Sequence, residues 1–166
     1  MDTATPQLKK LLQKIENLKK SGTVDLSTEE DLSIAIMNLV SLEEHFFFTG
    51  EKTGKEEYFD LLLEIREIRK ALLKRMIPQH EGETWCISKH LLAATMRLME
   101  VGTKLHSDGK KKEAKELFDR AYRLYSLFWG LRLKLISIQG IKTAAAKDQP
   151  WTLQNIVEKL VDCCDE

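Results

Sequence analysis

The clearest indication of structure is the run KKEAKELFDRAYRLYSLFWGLRLKLISI, residues 111–138. Apolar side chains recur in it at intervals of three and four residues, the spacing that places them on one face of an α-helix. The positions that predict this face are Leu117, Ala121, Leu124, Phe128, Leu131 and Leu135. An amphipathic helix buries its apolar face against other elements, and no strand-like alternation persists elsewhere in the chain. The sequence therefore predicts an all-α protein.

Five further segments show helical periodicity, at about 6–20, 27–48, 55–77, 83–106 and from about 150 onward. Residues 27–30, STEE, form a capping-box pattern at the start of the second segment, and Pro78, Gly109 and Gly140 predict helix ends. Short connections favour antiparallel neighbours. We predict a single-domain antiparallel helical bundle over 1–166. Its four long core helices occupy residues 27–138. An N-terminal accessory helix covers residues 1–22, a linker covers residues 140–149, and a C-terminal accessory helix covers residues 150–166.

Composition narrows the classes of function. The 166 residues carry 26 basic and 26 acidic side chains, a balance that argues against general nucleic-acid binding. No apolar run approaches the roughly 18 residues of a membrane span, and residues 1–20 interleave lysines with leucines, unlike a secretory signal. The three cysteines, Cys86, Cys163 and Cys164, form a poor disulfide framework. We expect a soluble cytoplasmic protein without a cofactor.

Three charged residues fall within the apolar faces of their helices. Helical wheels place Glu43, Arg69 and Arg132 on faces that should be buried. Buried charges require partners, so we predict that Glu43 accepts hydrogen bonds from Arg69, Arg132 or both. The arrangement would serve as a structural salt bridge or as a polar pocket for a small anion. One carboxylate beside two arginines does not suit a di-iron centre.

A polar line runs along the fourth segment through Cys86, His90, Arg97, Glu100 and Lys104. Three interpretations are open: a solvent-facing stripe, a surface covered by an accessory helix, or a reactive Cys86–His90 pair. Two ligands do not complete a zinc site, so we predict no metal here.

Arg75 and His80 have the spacing Arg-x4-His. This spacing resembles the motif of HEPN-type helical ribonucleases, whose fold is also an α-bundle. The resemblance covers six residues and implies RNA cleavage around Arg75 and His80.

Aromatic residues widen the apolar arc of residues 111–138. Tyr122, Tyr125 and Trp129 extend it beyond the area that one neighbouring helix covers. Packing against two helices would bury them, and any part left uncovered would form a protein interface.

Three classes of function remain. We favour a non-enzymatic interaction or scaffold protein that binds another protein or self-associates, because the sequence lacks a catalytic constellation. The alternatives are a HEPN-like RNA-cleaving enzyme and a bundle with an internal polar site for a small anionic ligand.

Overall fold

A computed structural model describes residues 13–14, 16–17, 20–21, 26–78 and 84–136. Within these ranges the chain forms four long α-helices and no strand: α1, Leu26–Thr53; α2, Glu57–Met76; α3, Thr84–Ser107; and α4, Lys111–Arg132. Helix α2 packs mainly on α1, α3 on α4, and α1 also contacts α3. The prediction of an all-α protein is confirmed.

Helix α1 continues past the predicted end near residue 48. Gly50 lies inside the helix and is buried. A Cβ atom added to it would lie 2.8 Å from the ring of Phe59. The glycine therefore permits close approach of α2 and does not stop α1. The stop is Gly54, which has a φ of 66° and donates its amide to Gly50 O over 2.8 Å. A left-handed residue just beyond the last turn is a common helix terminus.

Helix α4 ends earlier than its apolar pattern predicts. It stops at Arg132, not near residue 138. Lys134 has a φ of 53°, and the amide of Leu135 donates to Gly130 O over 2.9 Å. This left-handed turn satisfies the last carbonyl groups although no glycine marks it. Leu133 is nevertheless buried. The apolar pattern beyond Arg132 therefore reflects burial of side chains and not continuation of the helix.

Most of the predicted accessory regions lie outside the described residues. Dipeptides 13–14, 16–17 and 20–21 are helical. The linker 140–149, the C-terminal segment 150–166, Cys163, Cys164 and His80 are not described. No helix in the described ranges is long and apolar enough to cross a membrane.

The main hydrophobic core is concentrated in one half of the molecule. One contiguous cluster joins residues from the first half of α1, the end of α2, the first half of α3 and the end of α4. Its members are Ile36, Met37, Leu73, Met76, Ile77, Leu92, Phe128, Trp129 and Leu133. The second half of α1 and the first half of α2 contribute nothing to it. These regions carry most of the charged contacts described below.

The predicted buried faces of α1 and α2 are too wide. Phe47, Leu61 and Ile68 belong to those faces by periodicity, yet each is more than two-fifths exposed. Because α2 has one main neighbour, only a narrow stripe of it is covered. The apolar residues beside that stripe face solvent.

Candidate functional site

Glu43 and Arg69 form the most buried ion pair among the described residues. Arg69 Nε donates to Glu43 Oε1 over 2.6 Å, and Arg69 Nη2 donates to Glu43 Oε2 over 3.2 Å. The Arg69 side chain is 3% exposed and that of Glu43 is 13% exposed. Arg66 Nη1 lies 3.8 Å from Glu43 Oε2 at the solvent edge. The forked geometry orients both side chains and fixes α2 against α1.

Arg132 does not join this pair, so of the two predicted donors Glu43 binds Arg69 alone. Its Nη2 instead donates to Glu29 Oε1 over 2.7 Å. Glu29 is in the first turn of α1, and Glu43 is about four turns farther along. A helical wheel gives the direction of a side chain around the helix axis. It does not give the position of that side chain along the axis relative to a neighbouring helix. The two side chains can therefore share a predicted face and still lie at different positions along the helix axes.

A second ion pair connects α1 to α3. Arg97 Nη2 donates to Glu44 Oε2, and Arg97 Nη1 donates to Glu100 Oε2 over 2.5 Å. The hydrogen bond to Glu44 raises the pKa of Arg97 above its ordinary value, although partial burial opposes the shift. Arg97 therefore remains a fixed positive charge between two carboxylates.

A groove of about 1100 Å³ runs over the second half of α1, with α2 and α3 forming its sides. Its residues include Glu43 of the first ion pair, both members of the Glu44–Arg97 pair, and two exposed aromatic rings. They are Leu42, Glu43, Glu44, His45, Phe47, Phe48 and Lys52 of α1, Leu62 and Arg66 of α2, and Arg97 and Glu100 of α3. Phe47 and Phe48 are 45% and 57% exposed, and their rings meet edge to face with centroids 5.2 Å apart. The groove thus combines an apolar strip with charged sides.

The other predicted candidates do not converge on this groove. Cys86 and His90 are exposed on α3, and Arg75 is exposed near the end of α2. No group of three metal-ligating side chains occurs in the described part of the chain. Because His80 lies outside the described residues, the Arg75–His80 motif stays a prediction. Of the polar line on α3, only Arg97 and Glu100 reach the groove.

The predicted aromatic interface on α4 is mostly internal. Trp129 is 1% exposed and belongs to the core cluster, so it forms no part of the possible interface. Tyr125 is partly buried and its hydroxyl lies 2.7 Å from Ser33 Oγ of α1. Tyr122 alone of the three is classed as exposed. Helix α3 packs along α4, and α1 contacts α4 through Ser33–Tyr125 and Glu29–Arg132.

Sequence reasoning missed Glu44, Phe47 and Phe48 as groove residues. A signal was present in residues 43–48, EEHFFF. Successive residues turn by about 100° around a helix, so three consecutive phenylalanines cannot all face one core. At least one of them had to be exposed or to contact a second surface.

Comparison of the chain with protein-family models, with curated proteins and with solved structures finds no match.

Proposed function

We propose that this protein is a non-enzymatic interaction module that binds a helical segment of a partner protein in the groove over α1. The observation that carries the proposal is the exposed pair Phe47 and Phe48 on the groove surface. Aromatic side chains are enriched at protein interfaces, where each removes a large apolar area from water. Adjacent exposed phenylalanines in a concave surface are therefore a strong indication of an interface.

The ion pairs support this function by holding the groove in shape. The Glu43–Arg69 pair connects α1 to one side of the groove, and the Glu44–Arg97 pair connects α1 to the other. A surface that is already ordered loses little side-chain entropy when a partner binds. The exposed charges of Arg66 and Arg97, together with the partly buried Glu100, would then form the polar rim around the apolar strip.

The dimensions of the groove favour a helix as the bound segment. Residues 38–52 of α1 line it and extend for about 20 Å at the rise of an α-helix. A partner helix of about four turns would match this length and would present apolar residues at i, i+3, i+4 and i+7. Its charges would include an acidic residue near Arg66 and a basic residue near Glu100.

We also propose that the four helices are antiparallel neighbours. Residues early in α1 contact residues late in α4, as in the pairs Glu29–Arg132 and Ser33–Tyr125. Residues late in α1 contact early α2 at Gly50–Phe59, and earlier α1 contacts later α2 at Glu43–Arg69. In both pairs of helices, later positions in α1 contact earlier positions in the other helix, as expected for antiparallel packing.

We further propose that the terminal segments serve as accessory helices and that the protein is cytoplasmic.

Site-specific crosslinking in the source cells tests the interface. Phe48 is replaced by p-benzoylphenylalanine, and Leu63 is replaced in a matched control. Leu63 is 58% exposed but does not line the groove. We expect crosslinking to one defined protein from position 48 and not from position 63. Phe48→Ala should reduce copurification of that protein at least tenfold, whereas Leu63→Ala should not. Equal crosslinking at both positions, or none at position 48, contradicts the proposal.

A further inference from the structure

The groove over α1 carries a net positive charge. When Arg69 is included as the partner of Glu43, its charged side chains comprise four cations and three carboxylates. The cations are Lys52, Arg66, Arg69 and Arg97, and the carboxylates are Glu43, Glu44 and Glu100. An occupant with a net negative charge is therefore favoured over a basic one.

The chain itself contains a segment with the pattern expected of that occupant. In residues 150–166, PWTLQNIVEKLVDCCDE, four apolar residues occur at i, i+3, i+4 and i+7: Leu153, Ile156, Val157 and Leu160. This is the spacing by which an amphipathic helix places its apolar residues in a groove. As a helix the segment would extend for about 25 Å, enough to fill a groove whose lining on α1 extends for about 20 Å.

Charge distinguishes this segment from the other amphipathic segment outside the four helices, residues 6–20. Residues 150–166 include four acidic side chains and one lysine, whereas residues 6–20 include five lysines and one glutamate. Both segments have an apolar stripe, but only the acidic segment complements the charge of the groove.

The connection after α4 is long enough to bring the acidic segment to the groove. Arg132, the last residue of α4, contacts Glu29 in the first turn of α1. The groove begins at Asn38, about 14 Å farther along α1. Residues 137–152 can span up to about 50 Å when extended. A tether of this kind holds its segment at an effective concentration on the order of millimolar, so even a weak contact is populated.

We propose that residues 150–166 bind in the groove of their own chain and compete there with the partner. This inference rests on the function proposed for the groove and adds regulation to it. Phe47 and Phe48 are exposed in the structure, which therefore gives the open form of the groove. In the closed form the apolar stripe of residues 150–166 covers both rings, and the partner binds only after the segment leaves.

Photocrosslinking within the purified full-length chain tests for the closed form. Phe48 is replaced by p-benzoylphenylalanine, and Leu63, which is exposed but outside the groove, is replaced in the control. We expect position 48, and not position 63, to crosslink to peptides from residues 150–166 with a yield independent of protein concentration. The absence of this crosslink from position 48, or its formation only between two copies of the chain, overturns the proposal.

Two substitutions that each add one aspartate provide the matched comparison. Ile156 belongs to the apolar stripe, whereas a helical wheel places Asn155 on the opposite side. Ile156→Asp should lower the yield of the intramolecular crosslink at least fivefold, and Asn155→Asp should leave it within twofold. Equal effects of the two substitutions would overturn docking through the stripe.

Capture of the partner separates failure of this inference from failure of the proposed function. In the source cells, Ile156→Asp should raise the yield of partner crosslinks from position 48 at least twofold. An unchanged yield with the partner still captured overturns regulation by the segment and leaves the proposed function intact. Intramolecular crosslinks without any captured partner support docking of the segment and contradict the proposed function.

Discussion

Glu43 and Glu44 are adjacent in the sequence, yet their carboxylates bind arginines of two different helices. Glu43 accepts from Arg69 of α2, and Glu44 accepts from Arg97 of α3. A turn of about 100° between successive residues separates the two directions. One dipeptide therefore connects α1 to both sides of the groove.

The two pairs should differ in their contribution to stability. Glu43→Gln removes the charge that compensates a nearly fully buried arginine, so we expect it to lower the free energy of unfolding by about 3 kcal/mol. Glu44→Gln alters a pair whose side chains are about half exposed, and it should cost less than about 1 kcal/mol. Urea denaturation with unchanged slopes measures both values. Equal losses would show that burial does not distinguish the two pairs.

Gly102 should not tolerate a methyl group. An added Cβ would stand 2.6 Å from the ring of Phe118, and such overpacking costs about 1–3 kcal/mol. Alanine is otherwise favoured over glycine within a helix by about 1 kcal/mol, so net destabilisation by Gly102→Ala would reveal the clash. Phe118→Leu in the same chain should restore part of the loss. A more stable Gly102→Ala protein would contradict this close approach of α3 and α4.

Two phenylalanines should differ greatly in how much their truncation destabilises the protein. Phe128 is fully buried in the core cluster, so Phe128→Ala should lower the free energy of unfolding by about 3–5 kcal/mol. Phe48→Ala should change it by no more than about 0.5 kcal/mol, because more than half of Phe48 is exposed. Thermal and chemical unfolding of the two variants provide the comparison. A large loss from Phe48→Ala would show that its ring stabilises the folded chain and is not reserved for a partner.

The Tyr125 hydroxyl should contribute one hydrogen bond between α4 and α1. Ser33 Oγ donates its single hydrogen to Glu30 O over 2.7 Å, so the Tyr125 hydroxyl is the donor to Ser33 Oγ. Tyr125→Phe should therefore cost about 1 kcal/mol. In a double-mutant cycle with Ser33→Ala, the two losses should be less than additive. Strict additivity would mean that the two hydroxyl groups do not interact in solution.

Sequence periodicity predicts the helices well, but it does not predict how they are aligned or how many neighbouring helices cover each of them. The existence of α1 to α4 follows from the spacing of apolar residues, and the facing of Glu43 and Arg69 follows from the same wheels. The wheels could not assign Arg132 to Glu29, because the axial level of a side chain depends on how helices are aligned. They could not show that Phe47 is exposed, because that depends on how many neighbours surround α1. The end predicted near residue 48 was too early, because the close approach of Phe59 that requires Gly50 within the helix is a tertiary contact.

The position of the core in one half of the molecule has a consequence for its dynamics. Regions with few buried apolar contacts open at lower free energy than the rest of a protein. The second half of α1 and the first half of α2 fit this description, since the main core cluster excludes them. Their backbone amides should exchange with deuterium faster than those around Ile36 and Leu73, as a separate cooperative unit. A partner that occupies the groove would slow this exchange selectively, so binding and local order would be thermodynamically coupled in one half of the chain.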